Sequence, residues 1–376
     1  MKLGLENPRK LLHALGNPHQ EFLKIQVAGT NGKGSTCAFL ESICRTAGMR
    51  TGLYTSPHLI SITERIKLNG LEISETEFAK GATKVRRISE TGNLAATFFE
   101  HVTAIALTAF AQNKIELAIL ETGLGGRLDA TTAANAEIVA ITPIDYDHQQ
   151  YLGESLAEIA TEKAAIIRSK NQQVIVSKQR AEVEKIIVQR CQTFGLEPIR
   201  TDFDLPDVQL SLKGRHQIEN AKIAIRLAEV LNIDRTQIIS GLGTAIHKGR
   251  LEFDHGILFD GSHNIAGAKA LRAYLEEFVS RPITLIFGAM KEKQLAEIAE
   301  ILFPVADKLI LTRAENSRSA LVEDLAKFAR QRVYLTRNVA QALEKGREFP
   351  DNLTCITGSL YLVGEAQRLM LKKSAK

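Results

Sequence analysis

The stretch VAGTNGKGST, from Val27 to Thr36, combines the residue types that hold phosphate groups. Its glycines permit a tight turn with inward-pointing backbone N–H groups, and a lysine and two hydroxyl side chains are close by. The strict phosphate-loop pattern is Gly, any four residues, Gly-Lys, and Ser or Thr. This chain departs from it twice, because Val27 replaces the first glycine and Gly34 separates Lys33 from Ser35. We still predict a nucleotide site, since the loop leads into a helix N-terminus, which favours anions.

Acidic and imidazole side chains that could hold a metal ion follow two later apolar runs. Glu121 ends the run LAILE, and Asp145, Asp147 and His148 come just after the run IVAITPI. If both runs are strands of one parallel sheet, these side chains share with Lys33 the edge at which open α/β sheets bind ligands. Glu121 taken alone could be a surface carboxylate at a strand end, and a lone histidine there is more often structural. The prediction of a Mg²⁺ site therefore depends on this shared edge.

Apolar runs typical of buried parallel strands alternate with helical segments along the chain. The first series reads FLKIQVAGT, MRTGLYTS, KIELAILETG, AEIVAITPID and QQVIVS. A second series, beginning near Gly249, reads GILFDGSHN, PITLIFGAM, ADKLILTRA, RVYLT and LTCITGSLY. Such alternation favours doubly wound α/β sheets. We predict an N-terminal P-loop-type parallel-sheet domain over residues 1–247 and a smaller Rossmann-like α/β domain over residues 248–376.

Length and composition argue against a membrane protein, a secreted disulfide-rich protein and a nucleic-acid-binding protein. The 376 residues fit two domains of roughly 150 residues each. No apolar run reaches the roughly 20 residues of a membrane span, and no secretory signal is visible. Four cysteines without CxxC spacing argue against a zinc site or a disulfide framework. The net charge of +5 is mild, and no aromatic and basic stripe suggests base stacking. We expect a cytoplasmic, monomeric protein with small anionic ligands and no nucleic-acid or membrane partner.

Twelve short stretches, in order along nearly the whole chain, match one known family. They read GTNGKGST, GLYTSPHL, ERIKLNG, TFFE, ETGLGGRLDAT, DHQQYLG, IATEKAAI, GRHQIENA, GRLE, DGSHN, FGAMKEK and TGSLYLVGE. Each stretch is modest evidence, but their ordered set is specific. The chain resembles the folylpolyglutamate synthases, often bifunctional with dihydrofolate synthase, of the Mur ligase superfamily.

The resemblance implies an ATP-dependent ligase. In that family ATP phosphorylates a carboxylate to an acyl phosphate, and the amine of L-glutamate then displaces phosphate to form an amide. The acid is dihydropteroate or a folate. Activation is needed because hydroxide is a poor leaving group. The charge on the transferring phosphoryl group must be neutralised, which is a role for Mg²⁺ and Lys33.

Transferred position by position, the resemblance also implies the site residues. The implied metal ligands, for two Mg²⁺ sites, are Ser56, Glu121, His148 and a Lys163 that carries a carbamate. The implied ATP contacts are Asn31, Gly32, Lys33, Gly34, Ser35, Thr36, Asn220, Arg250 and Asp260. The implied substrate contacts are Thr97, Phe98, Phe99, Glu100 and Asp129 for the pterin, with His263 and Ser359 for glutamate. The implied catalytic residues are Lys33, His148, Lys163 and His263.

Two of these assignments have plainer interpretations from the residues alone. Lys163 would be a solvated charge on a helix, and Phe98 and Phe99 would be core, since paired aromatics on a helix usually are. Three other functions also compete. A ligase adding amino acids to UDP-linked muramic acid shares the phosphate loop, but TSPHL, TFFE and GGRLD count against it. A P-loop switch NTPase leaves DGSHN unexplained, and a nicotinamide dehydrogenase lacks G-x-G-x-x-G after the first strand.

Overall fold

The structure is a computed structural model that describes residues 4–205 and 207–374. The described chain divides into two compact units. Unit 1 contains the residues up to 57 together with Ile62–Ser211 and Gln217–Ile246. Unit 2 contains His58–Ser61, Leu212–His216 and the residues from His247 onward. Two short segments thus leave unit 1 along the chain and belong to unit 2. No helix among the described residues is long and apolar enough to cross a membrane.

Unit 1 is built on an eight-stranded sheet with the order β4-β3-β2-β5-β1-β6-β7-β8. Its strands are β1 Leu23–Ala28, β2 Thr51–Tyr54, β3 Ile66–Leu68, β4 Leu71–Glu72, β5 Leu117–Glu121, β6 Ile138–Ile141, β7 Gln173–Val176 and β8 Ile199–Arg200. In the sheet order, every neighbouring pair from β2 through β5, β1, β6 and β7 to β8 is parallel. At the other edge, the β2–β3 and β3–β4 pairs are antiparallel. The central position of β1 places its carboxyl end between those of β5 and β6.

Nine helices accompany this sheet in the described residues. They are α1 Glu6–Ala14, α2 Lys33–Thr46, α3 Glu75–Thr91, α4 Phe98–Gln112, α5 Gln149–Leu152, α6 Leu156–Ala164, α7 Ala181–Gln192, α8 His216–Val230 and α9 Arg235–Leu242. Capping boxes fix the starts of α4 and α6, where Thr97 and Ser155 accept hydrogen bonds from the backbone three residues on. The start of α4 carries the predicted pterin residues, and α6 carries Lys163.

Unit 2 is a six-stranded sheet with the order β13-β12-β11-β14-β10-β9. Its strands are β9 Glu252–Asp254, β10 Ile257–Phe259, β11 Ile283–Phe287, β12 Lys308–Leu311, β13 Val333–Leu335 and β14 Leu353–Thr357. Its helices are α10 Ile265–Phe278, α11 Leu295–Leu302, α12 Val322–Ala326, α13 Val339–Gly346 and α14 Leu360–Ser374. Only the β9–β10 pair is antiparallel. The predicted α/β class, with a largely parallel sheet in each part, is confirmed.

Apolar side chains cover both faces of each sheet, as the continuous hydrophobic runs require. In unit 2, one core cluster includes Leu285 and Phe287 and another includes Ile286 and Ile356. All four cysteines are buried as free thiols. Four strands were absent from the sequence prediction, namely β3, β4, β8 and β9. Each has only two or three residues, too few to show a periodic pattern.

The packing of α2 against α9 depends on a glycine and gives a first prediction. A Cβ placed on Gly241 would lie 2.7 Å from the backbone nitrogen of Ile43, and backbone cannot yield as a flexible side chain can. We expect Gly241→Ala to lower the free energy of unfolding by about 2 kcal/mol, despite the better helix propensity of alanine. Urea unfolding followed by circular dichroism measures this.

Gly243→Ala is the matched control, because its Cβ would meet only ordinary contacts beginning at 3.5 Å. Gly243 also has helical backbone angles that alanine adopts freely. Equal stability of the two variants would show that the helices separate at no cost.

Candidate active site

The predicted phosphate loop is the turn between β1 and α2, and two glycines make it sterically possible. Gly29 and Gly32 have φ values of +144° and +88°. A Cβ on Gly29 would collide with Thr142 at the end of β6, and one on Gly32 would collide with the side-chain oxygen of Asn220 on α8. The backbone of the loop therefore lies close against β6 and α8, which a chain with side chains at these positions could not do.

Hydrogen bonds join this loop to the segment after β6. The backbone nitrogen of Thr30 donates to the carbonyl of Pro143 at 3.0 Å. The Thr30 hydroxyl donates to the Asp145 carbonyl at 2.9 Å and accepts from the Asp145 N–H at 3.0 Å. The segment that carries Asp147 and His148 is thus held to the phosphate loop, as the shared sheet edge predicted.

Two lysine amines converge on one carbonyl of the loop. Nζ of Lys163 donates to the carbonyl oxygen of Gly29 at 2.7 Å, and Nζ of Lys33 donates to the same oxygen at 3.2 Å and to that of Thr30 at 3.1 Å. Lys163 is only 4% exposed, so the plainer prediction of a solvated helix charge is wrong. Burial, reinforced by the charge of Lys33, lowers the pKa of Lys163 to about 7. Its amine is therefore largely neutral in mildly alkaline solution.

The predicted metal ligands of unit 1 lie around the same edge. Glu121 is the last residue of β5, opposite Val27 of β1, and is 6% exposed. Its Oε2 accepts from the backbone N–H of Ser56 at 3.0 Å. His148 precedes α5 in a left-handed conformation, with its ring 41% exposed and 3.9 Å from the Asp147 carboxylate. A buried carboxylate, a hydroxyl and an accessible imidazole suit a divalent ion.

Residues 4–205 and 207–374 contain no group of three or more His, Cys, Asp and Glu side chains arranged to hold a metal. The predicted set has only two side chains of these types, Glu121 and His148, together with Ser56 and Lys163. Unmodified Lys163 would add a positive charge or a single nitrogen. A carbamate would add two oxygens that share one negative charge. Mg²⁺ prefers oxygen ligands, so the donor set fits magnesium best with that modification.

Gln217 on α8 is a site residue that sequence reasoning missed. It is fully buried, and its Nε2 lies 3.3 Å from the Ser35 hydroxyl while its Oε1 accepts from Nδ2 of Asn220 at 2.9 Å. Gln217 and Asn220 thus connect α8 to the phosphate loop in one chain of hydrogen bonds. A glutamine about 180 residues from the loop in sequence gives no signal of this by itself, although it lies within the stretch GRHQIENA.

The predicted pterin residues at the start of α4 have unequal roles. Thr97 and Glu100 form the capping box, so their polar atoms are engaged by the helix itself. Phe99 packs between Tyr54, with ring centroids 5.9 Å apart, and the backbone of Gly123. Phe98 is 59% exposed, which is unlike the core position that its pairing suggested. The guanidinium of Arg65, another residue missed from sequence, lies 5.5 Å from the Phe98 ring centroid.

Asp129 supports the loop after β5. It is 4% exposed and begins the short 3₁₀ turn Ala130–Ala134. One carboxylate oxygen accepts from the N–H and hydroxyl of Thr131 at 3.0 and 2.6 Å, and the other accepts from the Leu124 N–H at 2.9 Å. Burial raises its pKa against these bonds. The carboxylate therefore shapes the backbone that follows Glu121.

The remaining predicted residues lie at the carboxyl ends of β10 and β14 in unit 2. The buried Asp260 accepts from the backbone N–H groups of Leu251 and Ser262 at 2.9 and 3.0 Å, which fixes the turn that carries Arg250. Nδ1 of His263 lies 2.8 Å from the Gly261 carbonyl.

Ser359, at the end of β14, is 2% exposed, and its hydroxyl accepts from the Leu362 N–H at 3.0 Å. It therefore caps α14. The ligand contacts predicted for Arg250, Asp260, His263 and Ser359 stay predictions.

Comparison with known proteins gives the family. Residues 27–202 match the Mur ligase middle domain, and residues 249–360 match the Mur ligase glutamate ligase domain. The dihydrofolate synthetase of Saccharomyces cerevisiae is 30% identical, over 98% of each chain. The chain belongs to the folylpolyglutamate and dihydrofolate synthase family of Mur ligases.

Two further relatives define the extent of the likeness. The probable bifunctional folylpolyglutamate synthase/dihydropteroate synthase of Haloferax volcanii is 33% identical over 98% of this chain, which spans about half of that relative, 48%. The Escherichia coli FolC solved with DHPP and ADP superposes with a TM-score of 0.89 at 29% identity, covering 100% of this chain and 94% of that one. The predicted family and fold are confirmed over nearly the whole chain.

In this member of the Mur ligase family, Phe98 and Phe99 allow the stability contributions of a surface ring and a buried ring to be compared. We expect Phe99→Ala to lower the free energy of unfolding by about 2 kcal/mol, because it removes a half-buried ring from Tyr54 and Gly123. Phe98→Ala should change stability by less than about 0.5 kcal/mol, since that ring is mostly in solvent. Chemical unfolding of both variants tests this, and an equal loss would contradict the assignment of Phe98 to the surface.

Proposed function

We propose that this chain is an ATP-dependent ligase that joins L-glutamate to the carboxylate of dihydropteroate, of folates, or of both. The observation that carries the proposal is the phosphate loop with Lys33 at the start of α2. Beside it lies the buried amine of Lys163, whose pKa is lowered to about 7. Membership of the folylpolyglutamate and dihydrofolate synthase family supports the choice of substrates. A glycine-rich turn with no function would need neither Lys33 at the helix start nor a buried lysine amine beside the loop.

In the proposed site, ATP binds with its phosphates on residues Asn31–Thr36. The N-terminal N–H groups of α2 and the positive end of its dipole favour the anion. Lys33 then exchanges its two carbonyl acceptors for phosphate oxygens, a stronger charge-assisted bond. We also assign Asn220 to the nucleotide, a choice supported by its side-chain oxygen lying against Gly32 of the loop. Arg250 and Asp260 of unit 2 complete the proposed ATP contacts.

The proposed reaction has two steps. A carboxylate oxygen of the acceptor attacks the γ-phosphorus of ATP, and the bond to the β-phosphate oxygen breaks, which releases ADP and leaves an acyl phosphate. The uncharged amine of glutamate then attacks the acyl carbon, the carbon–oxygen bond to phosphate breaks, and the nitrogen loses a proton. We assign His263 and Ser359 to the glutamate pocket. Lys33 stabilises the charge that develops on the transferring group.

We propose two Mg²⁺ sites with oxygen and nitrogen ligands from Ser56, Glu121, His148 and carbamylated Lys163. Bound magnesium supplies neutralisation of phosphate charge and alignment of the phosphoryl group. The chain's own part is to hold Glu121 through the Ser56 N–H and to keep the unmodified amine of Lys163 buried and neutral, the form that takes up CO₂.

For the acceptor, the exposed ring of Phe98 offers a face to the flat heterocycle, and Arg65 offers a cation to an acceptor that carries a carboxylate. Thr97, Phe99, Glu100 and Asp129 then shape the pocket. We propose that residues 1–247 bind ATP and the pterin and that residues 248–376 bring glutamate. We also propose that the chain is a monomer in the cytoplasm, a reducing compartment in which free thiols persist.

The proposal is tested by measuring ADP release with ATP and Mg²⁺, with and without L-glutamate, for dihydropteroate and for tetrahydrofolate. We expect release to require both glutamate and one of the pterin acids. Lys33→Ala should lower the rate at least about 100-fold without changing stability, because the side chain serves phosphate and not a core. Release that needs neither co-substrate would favour a simple NTPase, and activity on a UDP-muramyl acid would favour the other Mur ligase branch.

The carbamate on Lys163 has its own test. Its formation joins the neutral amine nitrogen to the carbon of CO₂ with loss of a proton, so it is favoured as pH rises through the pKa of about 7. With ¹³C-labelled CO₂ at constant concentration, we expect a carbamate resonance that grows from pH 6 to about pH 8. Lys163→Arg should lack it, and a signal retained in that variant would assign the modification elsewhere.

A further inference from the structure

A short stretch of chain connects two of the proposed ligand positions. Ser56 belongs to unit 1, whereas His58–Ser61 belong to unit 2, after which the chain returns to unit 1. We call residues 56–59 the strap. Its first residue is a proposed magnesium ligand, and its last, the partly buried Leu59, packs against a hydrophobic cluster of unit 2.

Leu59 is fastened in unit 2 by contacts at its side chain and at its backbone. The side chain packs against the cluster that contains Phe259 and Leu362. Both of its methyl groups lie at Gly249, where a Cβ would come within 3.1 and 3.2 Å of them. Its carbonyl carbon would be 2.7 Å from a Cβ on Gly364 of α14, so that helix approaches the strap as closely as glycine allows.

Gly249 immediately precedes Arg250, the proposed phosphate clamp. The turn that holds both is fixed by hydrogen bonds from the Gly249 N–H to the Glu252 carboxylate at 2.6 Å and from the Gly261 N–H to the Gly249 carbonyl at 2.9 Å. Leu59 therefore rests on a turn of fixed shape. Any shift of Leu59 changes the packing at the residue next to Arg250.

The other end of the strap is fastened in unit 1, where the Ser56 N–H donates to Glu121 at 3.0 Å. Three residues of chain span at most about 11 Å, so the position of Leu59 limits where the Ser56 hydroxyl can lie. The side chain of Leu59 has no group that could contact phosphate or metal. An effect of Leu59 on the reaction would therefore be indirect, through neighbouring residues such as Ser56 and Arg250.

We propose that Leu59 is a positioning residue that, seated on Gly249 and Gly364, sets the Ser56 end of the strap for magnesium and the Arg250 turn for phosphate. This inference rests on the proposed function, because it takes from it the roles of Ser56 and Arg250. Loss of the Leu59 side chain should leave the metal and phosphate ligands present but misplaced, and small misplacements of this kind reduce rates strongly.

The test measures the Mg²⁺ concentration for half-maximal binding of a fluorescent ATP analogue, along with kcat and KM for ATP. We expect Leu59→Ala to raise that Mg²⁺ concentration about fivefold and to lower kcat about tenfold. Gly364→Ala should act in the same direction, because the added methyl displaces the strap backbone without removing any apolar contact. Leu59→Met, which keeps the volume, should restore most of both quantities.

The matched control is Leu369→Ala, which removes the same side chain, also partly buried, from the same cluster but leaves the strap intact. We expect it to lower thermal stability about as much as Leu59→Ala while leaving magnesium dependence and kcat within about twofold of the parent chain. If Leu59→Ala and Leu369→Ala behave alike at equal loss of stability, Leu59 is only a core residue and the inference is wrong.

The binding measurement keeps this test separate from the proposed function. If the parent chain binds nucleotide in a Mg²⁺-dependent way but forms no amide, the ligase proposal fails while the role of Leu59 is still decided by the binding shift. If the parent chain is an active ligase and Leu59→Ala leaves both quantities unchanged, the strap inference alone fails.

Discussion

The convergence of two lysine amines on the Gly29 carbonyl is the constraint on which the site of unit 1 depends. Two ammonium groups that share one acceptor repel each other, and the repulsion is stronger where one of them, Lys163, is buried. The arrangement is tolerable when Lys163 gives up its proton. Lys33 lies nearer to solvent, at the start of α2. The neutral amine is also the form that can take up CO₂, so the burial of Lys163 is compatible with the proposed modification.

The surrounding elements serve this arrangement in different ways. Gly29 lets the loop lie against β6, and Thr30 joins it to the segment carrying His148. The capping box of α6 fixes the helix that presents Lys163. Glu121 enters from β5, the neighbouring parallel strand. The loop, the segment with His148, the helix with Lys163, and Glu121 all lie at the carboxyl ends of adjacent strands or on helices that follow them. One edge of the sheet therefore assembles the site.

The sequence carried enough information for the fold class and the loop, because buried parallel strands and glycine turns are local patterns. It did not reveal that Lys163 is buried, since nothing in TEKAAI distinguishes a buried lysine from a solvated one. It missed Gln217 and Arg65, whose importance arises only from long-range packing. It also misjudged Phe98, because adjacent aromatics on a helix point in different directions and only Phe99 faces Tyr54 and Gly123.

Unit 2 is discontinuous in sequence, and this matters for any attempt to dissect the chain. The matched glutamate ligase domain begins at residue 249, yet the compact unit also includes His58–Ser61 and Leu212–His216. A fragment cut at the family boundary would lack Leu59 and would expose the apolar surface around Gly249 and Gly364 to water. A fragment that preserves all of unit 2 must therefore include more residues than the matched family domain.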